Sequence, residues 1–397
     1  MNPLGKSFPE YDVVVVGSRV AGAATAMLLA RRGHRVLLVD RRRPGSDTLS
    51  TLAMMRGAVL QLSRWGLLER VIDSGAPAVS RTIVHYADDA EVIDLATRAG
   101  IGSLYAPRRF VLDSILVDAA AQSGVDVRFG VRVDGVVRDC DGRVVGIRGR
   151  DDSGEVLEVR ARFTVGADGR RSTVARSVGA EVEKKGEFAS GVIYSYWSGI
   201  TENQYDWFYR PGVAAGLLPT NGGETLVWAG CAHDRFELEM RAGVDTAFER
   251  LFAAAAPEAL DRLAKGRRET GFSGFPGTPG FMRQPYGDGW ALVGDASHFK
   301  DPISAHGITD ALRDAEFLAI ALDTALRSAD SEVSALAGYK AVRDRLTMRL
   351  FETSERVASY RWDLTELRGL LIDLSRAMRD EVAALASLDD HRSVTAA

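Results

Sequence analysis

Cysteine is nearly missing: Cys140 and Cys231 are the two in 397 residues. Two thiols make neither a disulfide framework nor metal-ligand spacing, so a reducing, cytoplasmic setting is expected and no metal site is predicted. Histidine is scarce as well, at six, and no serine–histidine–acid constellation or lysine-containing phosphate loop can be read from the chain. Long apolar runs are absent. "DVVVVG" and "VLLV" are strand-sized, which excludes a membrane-spanning helix as an expectation. Nor is there an excess of one charge: 50 Lys and Arg stand against 54 Asp and Glu, a net charge of -4. That balance gives no basic footprint for nucleic acid. What is present is ordinary globular composition, 46% hydrophobic and 26% charged, in a chain long enough for two closely associated domains. The partner expected of such a chain is a small molecule.

The stretch "VVVVGSRVAGAATA", Val13 to Ala26, carries the first chemical signal. Tyr11 to Val16 reads as a buried strand, Val20 to Arg32 as a helix and Arg35 to Val39 as a second strand, a βαβ unit. In a nucleotide-binding unit the first glycine allows the tight turn, the second admits phosphate to the backbone, and the third lets helix pack on strand. Gly17 and Gly22 occupy the outer positions, and Arg19 stands at the middle one. Val20 and Ala21 open the helix. Asp40 lies 18 residues after Gly22, where a carboxylate can accept from adenosine ribose hydroxyls. On these residues alone, a βαβ unit without a nucleotide stays open. Arg41, Arg42 and Arg43 follow. The run could mark a 2′-phosphate site, but a solvated basic loop is the favoured reading, with Arg41 retained as a cofactor contact.

Leu52 to Trp65 is expected as a helix carrying Arg56 and Gln61, and Val111 to Gln122 as another, preceded by Arg108 and Arg109. The chain then alternates through "VDVRFGVRVDGVVRD", "GRVVGIRGR" and "EVLEVRARFTVGADG", a meander crossing over the Rossmann-like sheet.

Two further stretches make the pattern specific: "TVGADGRRSTVARSVG" with Asp168 and Ser172, and "GWALVGDASHFKDPISAHGITDALRDA" with Gly294 and Asp295. With the first stretch, and in this order, they resemble the single-component (group A) FAD-dependent monooxygenases typified by para-hydroxybenzoate hydroxylase, over most of residues 9–330. The resemblance implies an α/β fold. Residues 9–75, 105–177 and 284–330 would form a discontinuous Rossmann-like FAD-binding domain, a parallel sheet with the crossover meander. Residues 76–104 and 178–283 would form an antiparallel-sheet substrate domain, and 331–397 a C-terminal helical segment.

It also implies FAD as cofactor, NADH or NADPH as reductant and O2 as co-substrate. Asp295 would bind a ribityl hydroxyl, as two acceptor oxygens allow. Pro302 would end the strand-to-helix crossing, while Gly307 would let backbone approach the flavin ahead of a helix beginning at Ile308. That helix N-terminus would stabilise charge on reduced flavin. Arg56 would lie near the FAD phosphates and the path of the pyridine nucleotide, Arg109 against the cofactor, and Asp168 behind the pyrophosphate. Departures from the family pattern are Ser304 where glycine is usual, His306 where lysine or glycine is common, Thr309 for asparagine, and Ala175 for arginine. His306 is placed near the flavin without a chemical step.

Between Val178 and Arg283 the chain turns to aromatic-rich strand patterns, and Tyr194, Tyr196, Trp207 and Tyr209 are candidate substrate contacts, with core packing as the alternative for each. The activity implied is hydroxylation or epoxidation of an aromatic or polycyclic molecule through a flavin C4a-hydroperoxide, by a monomer or homodimer. The alternative is a reductase of the geranylgeranyl reductase kind, passing hydride to a C=C bond. A halogenase is disfavoured because no lysine occurs between Lys6 and Lys184, and a flavin-fold ligand sensor is the non-enzymatic alternative.

Overall fold

The computed structural model describes residues 10–43, 45–48, 50 and 52–395. Two large sheets face each other across a cavity. The first runs in the spatial order Tyr286–Gly287, Trp290–Leu292, Val156–Gly166, Tyr11–Val16, Val36–Asp40, Asp126–Phe129. All its neighbours from Trp290–Leu292 onward pair in parallel. Val13, Val14 and Val15 are wholly buried because both faces of the parallel sheet are covered, one by the helices Val20–Ala30, Arg109–Gln122 and Gly307–Arg327 and the other by the antiparallel strands Arg132–Arg138 and Val144–Arg150, which is why this strand reads as an unbroken apolar run. The long strand Val156–Gly166 serves two partners. Its first half pairs antiparallel with Val144–Arg150, which pairs with Arg132–Arg138, and its second half enters the parallel sheet beside Tyr11–Val16.

The helix Val20–Ala30 follows the first strand with small residues, so that Gly307–Arg327 can pack closely on it. The latter helix buries Ile308, Ala311, Leu312, Ala315, Leu318 and Leu322 along one stripe. The helix expected from Leu52 begins instead at Arg56. Leu52 has φ of 60° and the Met54 amide donates to the Tyr105 carbonyl at 2.9 Å, so this segment is held extended by a bridge to a distant residue.

The second sheet has the order Arg267–Arg268, Ser190–Ser198, Glu224–Ala232, Val213–Pro219, Tyr205–Arg210, Arg81–Tyr86, Asp89–Asp94, with Ser273–Phe275 also on Ser190–Ser198. It is antiparallel except between Tyr205–Arg210 and Arg81–Tyr86. Alternation divides its faces. Ile193, Ala229 and Phe208 pack under the helices His233–Met240 and Val244–Ala255, while Val192, Tyr196, Leu226 and Trp228 face the other way. A short three-stranded sheet, His298–Phe299, Phe281–Arg283 and Val182–Lys185, bridges the two units.

The chain ends in two long helices, Glu332–Ala358 and Leu364–Thr395. Asp363 caps the second, its carboxylate accepting from the Glu366 amide at 2.8 Å. That helix crosses back onto Arg56–Arg64, where Arg64 donates to the Leu385 carbonyl at 2.9 Å. No helix among the described residues is long and apolar enough to cross a membrane.

Candidate functional site

A cavity of about 840 Å³ opens where the C-terminal ends of the first sheet meet the inner face of the second, the usual ligand position of an open parallel sheet. At one end lies the turn after Tyr11–Val16. Gly17 has φ of 104°, and a Cβ there would stand 2.4 Å from the Ala167 carbonyl oxygen. A Cβ on Gly22 would stand 1.8 Å from the Gly17 oxygen. Both positions therefore require glycine. Arg19 needs none: its φ is -80°, which any residue adopts. Its guanidinium donates to the Asp47 carbonyl at 3.4 Å. Val20, Ala21 and Arg41 line the cavity beside it.

Asp40 closes this end, its carboxylate accepting from the Ser18 amide and hydroxyl at 2.8 and 3.0 Å and from the Arg42 amide at 2.8 Å. Asp168 also lines the cavity but is spent largely on local structure: it accepts from the Thr173 amide at 2.6 Å and from the hydroxyl of Ser172, the residue that caps Thr173–Val178. Burial pushes its carboxyl group above the ordinary range, against those hydrogen bonds. Arg109 lines the cavity and is held by Asp113 at 3.0 Å, one helical turn on.

The third motif approaches from the opposite side. Gly294 and Asp295 line the cavity, and a Cβ on Gly294 would come within 2.8 Å of Ala21 Cβ. The Asp295 carboxylate makes no hydrogen bond among the described residues. Burial pushes it upward, with Arg170 and His298 pulling the other way. Pro302, His306, Gly307 and Ile308 line the cavity at the start of Gly307–Arg327. The left-handed residue here is Ala305, at φ of 49°. Ser304, where the family pattern has glycine, is not left-handed, and the alanine that follows it bears the strain.

Two groups of expected contacts fall elsewhere. Arg56 is not among the cavity-lining residues, and its guanidinium donates to the Ile101 carbonyl. Of the four aromatic candidates, Tyr194 alone lines the cavity. Tyr196 is covered by the Arg108 guanidinium 3.5 Å above its ring. Trp207 donates from Nε1 to Thr82 Oγ1 at 3.0 Å, and Tyr209 packs on Trp362 at 6.2 Å between ring centroids. All three share the face of Tyr194, but the C-terminal helices and Arg108 cover the part of the sheet they occupy.

In their place the structure brings Trp228 directly across from Tyr194 in strand register, with Val192, Leu226, Phe275 and Phe299 around them. Gly216 on the next strand makes room, since a Cβ there would lie 2.4 Å from Trp228 Nε1. Arg170 is seated between Phe275 and Phe299, 4.7 and 4.9 Å from their ring centroids. Strand parity, with Trp228 two residues beyond Leu226, was the available signal for the tryptophan; Arg170 gave none beyond its place after Asp168-Gly169.

A buried ionic network backs the flank toward the C-terminal helix. Lys300 Nζ lies 2.6 Å from Asp310, and Arg313 lies 2.9 Å from Asp310, 2.7 Å from Asp314 and 3.3 Å from Glu381. His306 Nε2 lies 2.6 Å from Glu381. Burial opposes the charges of Lys300, Asp310, Arg313 and Glu381. Lys300 is pulled down by it despite Asp310, whereas the cations beside Asp310 and Glu381 overcome it and hold both carboxyl groups low.

The FAD binding domain model matches residues 10–354. The chain belongs to the FAD binding domain family. It is 26% identical to a digeranylgeranylglycerophospholipid reductase of Methanocella arvoryzae, over 85% of this chain and 84% of that one. It is 32% identical to the aklavinone 12-hydroxylase RdmE of Streptomyces purpurascens, over 50% of this chain and 41% of the relative. Among solved structures, the flavin-dependent brominase Bmp2 superposes with a TM-score of 0.80 at 19% identity, covering 95% of this chain and 93% of the other. The protein is therefore an FAD-dependent oxidoreductase by family.

The residues present fit FAD. The turn at Gly17 and Gly22 is a backbone cradle that a Cβ would fill, Asp295 offers two unspent acceptor oxygens, and the cavity end beside Asp40 is rich in arginine.

Proposed function

We propose that this family member is a monooxygenase that uses NADH or NADPH and O2 to hydroxylate or epoxidise a compact aromatic or polycyclic molecule. The observation that carries this reading is the wall of Tyr194, Trp228, Phe275 and Phe299 inside one cavity of about 840 Å³ that FAD must share. Flat rings suit such a wall and such a volume; a paired C20 isoprenoid lipid suits neither.

In this reading residues 9–75, 105–177 and 284–330 hold the cofactor, and 76–104 with 178–283 hold the substrate. Residues 9, 44, 49 and 51 lie outside the described residues. Gly17 and Gly22 admit the pyrophosphate, Asp40 takes the adenosine ribose, Asp295 the ribityl chain, and the amides at Gly307 and Ile308 the flavin's pyrimidine edge. Bound FAD would accept hydride from the nicotinamide and activate oxygen. The chain's own part is to orient the substrate ring against Tyr194 and Trp228, exclude water with Val192, Leu226 and Phe299, and hold protons at the His306 ring. The protein would act as a monomer or homodimer in the cytoplasm.

Similarity over most of the chain to a protein named as a reductase of a geranylgeranyl lipid favours a second reading, hydride transfer to a C=C bond. One experiment separates the two. FAD-loaded protein is supplied with NADH or NADPH and a panel of aromatics under isotopically heavy O2, and in parallel with isoprenoid alkenes in the absence of oxygen. Label in an aromatic product supports oxygen insertion. Anaerobic saturation of an alkene, with no label in any aromatic, replaces it with the reductase.

A further inference from the structure

Five charged groups meet behind the cavity wall. Asp310, Asp314 and Glu381 bring three carboxylates; Lys300 and Arg313 bring two cations. Each side chain is 6% exposed or less. The charges on neighbouring elements are already engaged: Arg64 of the helix Arg56–Arg64 holds Glu316, and Arg343 of Glu332–Ala358 holds Asp344. One carboxylate is therefore left without an obligate cation, and an uncompensated buried charge is strongly unfavourable.

Two histidines border the group. His298 Nδ1 lies 3.3 Å from Asp314 and its Nε2 3.9 Å from Asp310, whereas His306 Nε2 lies 2.6 Å from Glu381. The last spacing is that of a charge-assisted hydrogen bond. A divalent metal is the other way to neutralise the site, since donor atoms of His306, Asp310 and Glu381 lie within 4.8 Å of one another. Lys300 and Arg313 already stand on Asp310, and Arg313 on Glu381, so a metal ion would be forced against two fixed cations. A proton meets no such obstacle.

We propose that His306 carries one exchangeable proton, fixed there by Glu381 from the C-terminal helix, and that the pair serves the flavin cavity as its proton reservoir. His306 lines the cavity, and among the described residues its buried Nδ1 has no hydrogen-bond partner, so a proton there has no acceptor within the described protein. Glu381 is a positioning residue: it touches His306 without lining the cavity. It also lies outside the matched segment 10–354, so the C-terminal helix adds to the site something the family match does not contain. The reservoir role rests on the cavity being the flavin site; the proton on His306 does not, and the test separates them.

The full chain without FAD, labelled with 15N-histidine, is examined by NMR at neutral pH, with His306 assigned by its loss in His306→Asn. Both ring nitrogens protonated in the unaltered protein, and one in Glu381→Gln, is the expected result. A singly protonated ring in the unaltered protein overturns the proposal. Melting temperature gives a second reading that needs no assigned spectrum. His306→Asn leaves the carboxylate unanswered and should melt several degrees lower, and adding Glu381→Gln should recover most of the loss. A double variant no more stable than His306→Asn also overturns the proposal. Finally, FAD affinity is measured across pH: a pH dependence that Glu381→Gln flattens supports the reservoir, and superimposable profiles remove that role while the NMR result stands by itself.

Discussion

Asp301 tests the electrostatics of the cavity most directly. It lines the cavity, is 1% exposed, and accepts from the Ser190 and Ile303 amides at 2.7 and 2.9 Å. Those bonds favour the carboxylate, but burial outweighs them and pushes the group up to about 6 from an ordinary 3.8. A carboxyl group raised in the folded chain binds its proton more tightly there than in the unfolded chain. Its contribution to stability is therefore full below about pH 4 and is lost as pH rises through about 6. The gap of about two pH units corresponds to about 3 kcal/mol. Asp301→Asn cannot ionise, so its cost from mispaired amide hydrogens is a constant offset. Urea unfolding followed by tryptophan fluorescence, from pH 4.5 to 8, should show the variant gaining on the unaltered protein by about 2 kcal/mol as pH rises, the first part of the loss being already complete at pH 4.5. A difference in stability that stays constant with pH would refute the argument. Asp168 and Asp295 are raised by the same cause and act with the same sign.

Gly22→Ala places a Cβ 1.8 Å from the Gly17 oxygen, and loss of FAD binding is expected; an unchanged fluorescence titration would show that the turn does not cradle the cofactor. Asp295→Ala should raise the FAD dissociation constant by about 10- to 100-fold, the worth of about 1.5–3 kcal/mol for a hydrogen bond to a charged group. Because this carboxylate bonds to no protein group, the cofactor-free protein should melt no lower, and a large drop would mark Asp295 as structural. Gly216→Ala drives a Cβ to within 2.4 Å of Trp228 Nε1. KM for the aromatic substrate should rise with FAD affinity untouched. Arg19→Gly should weaken FAD by less than about 1 kcal/mol, since its guanidinium already donates to the Asp47 carbonyl; a larger loss would assign it to the pyrophosphate.

The tight turn after the first strand could be read from the chain because its constraints act over a few residues. Gly17, Gly22 and the extended Arg19 are demanded by one tight connection, and Asp40 sits at the end of the next strand. The parallel sheet followed from unbroken valine and leucine runs for the same kind of reason. The aromatic wall could not be read this way. Tyr194, Tyr196, Trp207 and Tyr209 have equal claims by strand parity, and what separates them is which stretch of the sheet other segments cover. Arg108 reaches Tyr196 and Trp362 reaches Tyr209 from remote parts of the chain. Arg56 is not among the cavity-lining residues, and the Ile101 carbonyl that captures it is 45 residues away.

The sequence by itself therefore determined the α/β class, the tight glycine turn after the first strand and the place of Asp40 at the end of the second, since each rests on backbone geometry or on periodicity within one element. Tertiary structure alone decided which aromatic rings line the cavity, that Ala305 takes the left-handed turn, and that Glu381 stands beside His306. Those outcomes depend on contacts between segments 75 or more residues apart in the case of His306 and Glu381, and local spacing carries no record of a neighbour that arrives only when the chain has closed on itself.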